Sequence, residues 1–375
     1  MNNHIHIITH EVPWPVDFGG VFDLFYKIKS LHQKGIKIHL HCFTKKMEEH
    51  SILNRYCESV NYYQRKKNIS LKHFLLPFIV QSRDDEKLLE NLKRDNYPIL
   101  LEGIHCTYFL YKHKLRDRNV FVRLHNVEYL YYKKLAVYEK NFFRKAYFYI
   151  ESLLLYRYEK KLAPHTKYLC VANSDKEFYQ KKFKPLHIEY LPVFVPWSTV
   201  TSAQNLGSFC MYHGNLSINE NDEAAKWLLQ SVFAKIKIPI VIAGKNPSSS
   251  LIELSHSYQH SCVVANPTDF ELDDLIKKAQ INILPSFNST GVKLKILHAL
   301  FNGRHVLVNP KAIEGTNLKI ICQEAETADD FIKSIKILYQ EPFEDFDIER
   351  RSKLLGRDFN NQTNAKILED WITQC

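Results

Sequence analysis

The chain has 375 residues, 45% hydrophobic and 25% charged, a length that suggests two domains and a composition that leaves little room for long disorder. Its net charge of +10 is uneven: residues 1–200 carry 33 basic against 20 acidic residues, and residues 201–375 carry 18 against 21. No apolar run approaches the ~18 residues of a membrane span, and the N-terminal MNNHIHIITHEVPWP lacks the leader of a secretory signal, so a cytoplasmic protein is expected.

The eight cysteines are scattered, with no CxxC and no Cys/His spacing suited to zinc, as expected of reduced thiols. A basic half suits phosphates or anionic lipid headgroups. Without an aromatic-basic RNA motif or a recognition-helix module, no nucleic-acid partner is expected.

In chain order, HIHIITH predicts a strand, PWPVDFGG a loop, and Val21, Leu24, Phe25, Ile28 and Leu31 the apolar stripe of a helix that Gly35 would close. IKIHLHCF returns as a parallel strand, a βαβ opening. Further strands are expected at 59–63, 99–101, 120–124 and 168–172, and residues 128–162 are compatible with one bent helix or two. Residues 191–208, with two prolines and no period, read as a linker. A second α/β series comes next, with strands near 208–213, 238–243, 262–265, 281–284 and 305–308. Capping boxes are expected at Ser217/Glu220 and Thr268/Glu271, and helices over 293–301 and 363–371. Two such halves predict an α/β protein whose ligands sit beyond the carboxyl ends of the strands.

Several loops carry chemistry suited to a phosphate. Gly19 and Gly20 admit close approach to a helix N-terminus. Ser286, Ser289, Thr290 and Gly291 precede a helix with Lys293 and Lys295 in its first turn. Cations there oppose the helix dipole, so either an anion compensates them or they point to solvent. Lys245 and His213-Gly214-Asn215 end neighbouring strands, and His125, Asn126 and Glu128 follow another. His4, His6, His39 and His41 alternate on adjacent strands, but they sit away from the expected site with no carboxylate spaced to complete a ligand set, so no metal is expected.

PWPVDFGG, VRLHNVEYLYY (122–132), CVANSDKEFY (170–179), YHGNLSINEN (212–221), VIAGKNP (241–247) and residues 285–315 together resemble, in order, retaining GT-B glycosyltransferases of the family 4 type, the glycosyl transferases group 1. The resemblance implies a GT-B fold of two Rossmann-like domains facing across a cleft. Residues 1–197 would be the acceptor side, with a C-terminal helix (358–375) packing back on it, and residues 198–357 would bind the nucleotide-sugar. Residue by residue, it implies that His125, Lys245 and Lys295 are catalytic, the lysines neutralising the donor diphosphate together with Lys293. Gly19, Gly20, Gly214, Asn215, Ser286, Thr290 and Gly291 would line the donor site, Asn266 would read the base, and Asp17 and Glu128 would lie on the acceptor side. The chain departs from the family at His298, where a glutamate usually meets the ribose, and Thr290 stands nearest to the family's earlier acid.

The resemblance further implies a sugar transfer from a UDP- or GDP-sugar to a saccharide or lipid-linked saccharide, without a metal or cofactor, in bacterial-type surface polysaccharide or glycoconjugate synthesis. Retention would come from a same-face displacement in which the leaving phosphate takes the acceptor's proton. The basic half and the stretch holding Tyr131, Tyr132, Lys133, Lys134, Phe142, Phe143, Arg144 and Lys145 suggest an anionic membrane surface as a further partner. The alternatives are a non-catalytic relative that binds a ligand and a sugar-nucleotide epimerase.

Overall fold

The structure, a computed structural model, describes residues 3–16, 19–68, 75–139, 141–287 and 291–373. It divides into two compact units, Met1–Pro196 with Phe359–Cys375 and Trp197–Asp358.

The first unit alternates β1 (His4–Thr9), α1 (Gly19–Gln33), β2 (Lys37–Thr44), β3 (Ser59–Gln64), the short helices α2 (Phe78–Gln81) and α3 (Glu86–Leu92), β4 (Ile99–Glu102), α4 (Tyr108–Tyr111), β5 (Val120–Leu124), α5 (Glu128–Tyr138), α6 (Phe142–Leu162), β6 (Lys167–Cys170), α7 (Asn173–Phe183) and β7 (His187–Tyr190). The seven strands form one parallel sheet in the order β3-β2-β1-β4-β5-β6-β7. A parallel strand covered on both faces needs apolar side chains at odd and even positions. Ile5 and Ile7 of β1 accordingly pack with Ile28 and Leu31 of α1, while Ile8 joins Leu101, Val122 and Leu155 on the opposite face. Gly35, at φ +78°, turns the chain out of α1 into β2. Residues 128–162 form two helices: the backbone is extended at Glu139, and the Asn141 side chain accepts the Arg144 N–H to cap α6. β7 has too short an apolar run to be read from sequence.

The second unit runs β8 (Cys210–Asn215), α8 (Asn219–Trp227), β9 (Ile240–Lys245), α9 (Ser249–His256), β10 (Ser261–Ala265), α10 (Asp269–Lys278), β11 (Ile281–Ile283), α11 (Leu294–Asn302), β12 (His305–Val308), β13 (Gln323–Glu324), α12 (Ala328–Leu338) and α13 (Asp345–Asp358). Its parallel sheet has the order β10-β9-β8-β11-β12-β13. The last helix, α14 (Asn361–Thr373), belongs to the first unit, where Ala365, Leu368 and Ile372 enter the α1 side of the core.

Two expectations about side chains are corrected. The capping box at Thr268/Glu271 forms, but the one at Ser217/Glu220 does not: α8 starts after Ile218, Ser217 donates to Asn215 Oδ1, and Glu220 Oε1 accepts from Ser286 Oγ at 2.9 Å. The strand histidines do meet a carboxylate, supplied by a distant loop. His6 Nε2 lies 2.9 Å from Asp95 Oδ1, His6 Nδ1 lies 2.9 Å from His41 Nε2, and His41 Nδ1 lies 2.8 Å from Tyr63 Oη. Both nitrogens of His6 and of His41 are thereby satisfied inside the sheet face, and burial pushes both imidazoles below their ordinary range.

The β8–β9 pairing is tight enough to test. Gly214 and Gly244 face each other in register, and a Cβ on Gly244 would lie 1.9 Å from the Gly214 carbonyl oxygen. Gly244→Ala is therefore expected to cost about 3 kcal/mol by overpacking. For a unit of this size, that lowers the Tm by roughly 6–12 °C in calorimetry. An unchanged Tm would show that the strands can separate at no cost.

Candidate functional site

In an open parallel sheet, ligands favour the carboxyl ends of the strands where the order reverses. In the first unit the reversal lies between β1 and β4, and in the second between β8 and β11. Each unit places a polar cluster at that point.

In the second unit, Lys295 projects from the first turn of α11. Its ammonium donates to Tyr212 Oη (3.2 Å) and Asn221 Oδ1 (3.0 Å) and sits 4.7 Å from the Tyr212 ring centroid. Burial pushes its pKa down to about 8, against the opposing pull of Glu220. Glu220 also holds Ser286, whose N–H donates to Asn309 Oδ1. Lys293 is the N-cap residue of α11 and its side chain makes no cap bond; Gly291, at φ +66°, precedes it. Gly214 and Asn215 end β8, Lys245 ends β9 exposed, and Asn266, at φ +54°, accepts the Asn246 N–H after β10. Thr290, like Ser289, lies outside the described residues.

His298 lies one turn further along α11. Its Nε2 is 2.6 Å from Asp273 Oδ1 of α10, its ring stacks on Trp197 with centroids 4.7 Å apart, and His213 meets it edge-on. The hydrogen bond from His298 holds the Asp273 carboxyl below its usual range, against burial. His213 is buried, and its Nε2 has no hydrogen-bond partner. Tyr212, Glu220 and Asn221 fall within the quoted piece 212–221 without a role at this site being read from it, and Asp273 and Trp197 carry no sequence signal that points here. Only the tertiary fold brings α8, α10 and the segment before β8 to α11.

In the first unit, His125 follows β5 and its Nε2 lies 3.0 Å from Glu102 Oε2 at the end of β4. Lys27 of α1 donates to Glu102 Oε1 (2.6 Å) and Asp23 Oδ2 (2.8 Å), and Arg123 donates to Asp23 Oδ1 (3.1 Å). Burial raises the pKa of both carboxyls, but the cations outweigh it and hold them below their usual range: Arg123 and then Lys27 for Asp23, Lys27 for Glu102. Asp23, Glu102 and His125 offer ligand atoms within 4.8 Å of one another. Lys27 already places its ammonium between the two carboxylates, so a metal would have to displace it. Asp23 and Lys27 stand four residues apart on α1, but Glu102 lies 75 residues beyond Lys27, and nothing local in the sequence brings it to them. Glu128 is buried in the first turn of α5, and burial raises its pKa to about 8. Gly19 and Gly20 are the first residues of α1, and Asp17 lies outside the described residues.

Residues 208–341 match the family model described as Glycosyl transferases group 1. A 44.6 kDa protein in the cps region of Klebsiella pneumoniae is 29% identical over 335 residues, 83% of this chain and 84% of the relative. Among solved structures, Anabaena Alr3699/HepE in complex with UDP and glucose matches with a TM-score of 0.68 and 10% identity over 99% of this chain and 100% of that one. A mutant of S. aureus TarM in complex with Fondaparinux, alpha-GlcNAc-glycerol and UDP matches at 0.61 and 9% identity over 99% and 100%. The fold is that of the GT-B glycosyltransferases. The region matched by the group 1 glycosyltransferase model lies in the second unit.

Proposed function

We propose that the protein transfers a sugar from a nucleoside-diphosphate donor, UDP- or GDP-linked, to a saccharide or lipid-linked saccharide with retention of configuration. The observation that carries this reading is the half-buried Lys295 in the first turn of α11, at the sheet reversal of the unit that matches the family model. A cation and helix N–H groups directed to one place stabilise the charge that grows on a departing diphosphate. In this reading Lys293 and Lys245 assist from the same strand-end loops, and His125, held by Glu102, meets the transferred sugar. The Asp273–His298 pair supplies the ribose contact with a carboxylate beside the imidazole. The relative in a cps region supports a place in surface polysaccharide synthesis.

A thermal-shift panel of UDP, GDP and their sugars tests the reading, since a ligand bound only by the folded state raises the Tm. A shift selective for one base, with donor consumed only when acceptor is present, is the expected result. Conversion without acceptor would point to an epimerase, and no shift with any nucleotide would point to a non-catalytic binding protein.

A further inference from the structure

α6 is built inside out. Its buried face carries two carboxylates: Glu151 accepts the Ile79 N–H (2.9 Å), and Glu159 accepts the Tyr129 N–H (3.1 Å) and the Tyr179 hydroxyl (2.9 Å). Ser152 on the same face donates to the Tyr129 carbonyl. The opposite face presents Phe142, Phe143, Ile150 and Leu153, which are 76%, 82%, 58% and 49% exposed. At 100° per residue these four side chains lie in one stripe. Arg144, Lys145, Arg157, Lys160 and Lys161 are exposed around and below it, and no acid of α6 is exposed. Val137 of α5 extends the exposed apolar surface at the helix turn.

An exposed apolar stripe of this kind marks a contact surface. We propose that the exposed face of α6 docks the protein on an anionic lipid surface, the aromatic and branched side chains entering the headgroup boundary and the cations pairing with lipid phosphates. The charge pattern selects this occupant. Arg144 pairs with Glu139 (3.2 Å), but a second copy packed on the same face by two-fold symmetry would bring Lys145, Arg157, Lys160 and Lys161 of each helix together with no exposed acid on either helix to neutralise them. The proposal deepens the transferase reading by placing the enzyme where a lipid-linked acceptor would be, and rests on it only for that purpose. It also alters what the charge alone predicts. Attachment by charge is released by salt, whereas buried Phe and Ile side chains are indifferent to it.

Cosedimentation of the full chain with vesicles of phosphatidylcholine, alone or mixed with phosphatidylglycerol, tests this at low and high salt. Binding is expected on the phosphatidylglycerol vesicles, reduced but not abolished by salt. Phe142→Ser with Phe143→Ser is expected to lower partitioning about tenfold or more at both salt concentrations. Lys160→Gln with Lys161→Gln should weaken it at low salt only. All four side chains are exposed, so the Tm of each variant should match that of the parent. Equal sedimentation with and without anionic vesicles overturns the proposal. So does a dimer in light scattering that the Phe142/Phe143 variant dissolves. Nucleotide thermal shifts are read on the same samples, so a failure of docking is separated from a failure of the transferase reading.

Discussion

Lys27→Met is expected to destabilise the first unit by about 3–5 kcal/mol, the usual cost of removing one partner from a buried ion pair. Lys27 and both carboxylates it joins are essentially without solvent access. With the ammonium gone, Asp23 keeps Arg123, but Glu102 is left facing Asp23 with only His125 beside it. Methionine preserves most of the volume, so the loss reads charge rather than packing. The pH dependence distinguishes this from a packing defect. In the parent both carboxyls are held below their unfolded values, so they contribute stability above the ordinary carboxylate pKa and lose it as pH falls through the depressed one. In the variant Glu102 is free to protonate, so the gap between parent and variant should narrow as pH falls from neutral towards the carboxylate range. A Tm difference within about 2 °C at neutral pH, or one that widens in acid, would sink this account.

The parts of the molecule legible in the sequence are those set by local pattern. β5, α1 and the capping box at Thr268/Glu271 each rest on neighbours within a few residues, and the structure forms them. The site divides along the same line. Lys293, Lys295 and Gly291 stand together in sequence, so a helix start preceded by a small-residue loop is enough to select them. Glu102 and Asp23 meet His125 from three separate elements, and Asp273 reaches His298 from a neighbouring helix. No periodicity encodes such meetings, because they depend on which strands pair and which helices pack between them. Ser217 and Glu220 show the converse failure. The capping pattern is present locally, but Ser286 offers Glu220 a competing hydroxyl that only the sheet order brings near. The burial of α6 is illegible for a related reason: the core takes its glutamates because backbone N–H groups wait for them there, which the sequence of the helix alone does not encode.

For Lys295→Met, nucleotide affinity is expected to fall about 10- to 100-fold, the loss of a charge-assisted contact worth about 1.5–3 kcal/mol. The same lysine predicts two pH trends of opposite sign. Its pKa is about 8 when folded, against 10.5 unperturbed, because burial disfavours the ammonium. Between these values the unfolded chain holds the proton and the folded chain does not, so the stability of the ligand-free protein should gain from this group as pH rises. An anionic ligand needs the ammonium, so the nucleotide-induced Tm shift should shrink across that window. Bound nucleotide would itself raise the lysine pKa, which places the midpoint of this loss above about 8. Differences between parent and Lys295→Met isolate both trends from the other groups that titrate in alkali. If the nucleotide shift survives in Lys295→Met, or is flat with pH while the ligand-free trend remains, the buried ammonium is a structural partner of Tyr212 and Asn221 and the diphosphate lies elsewhere.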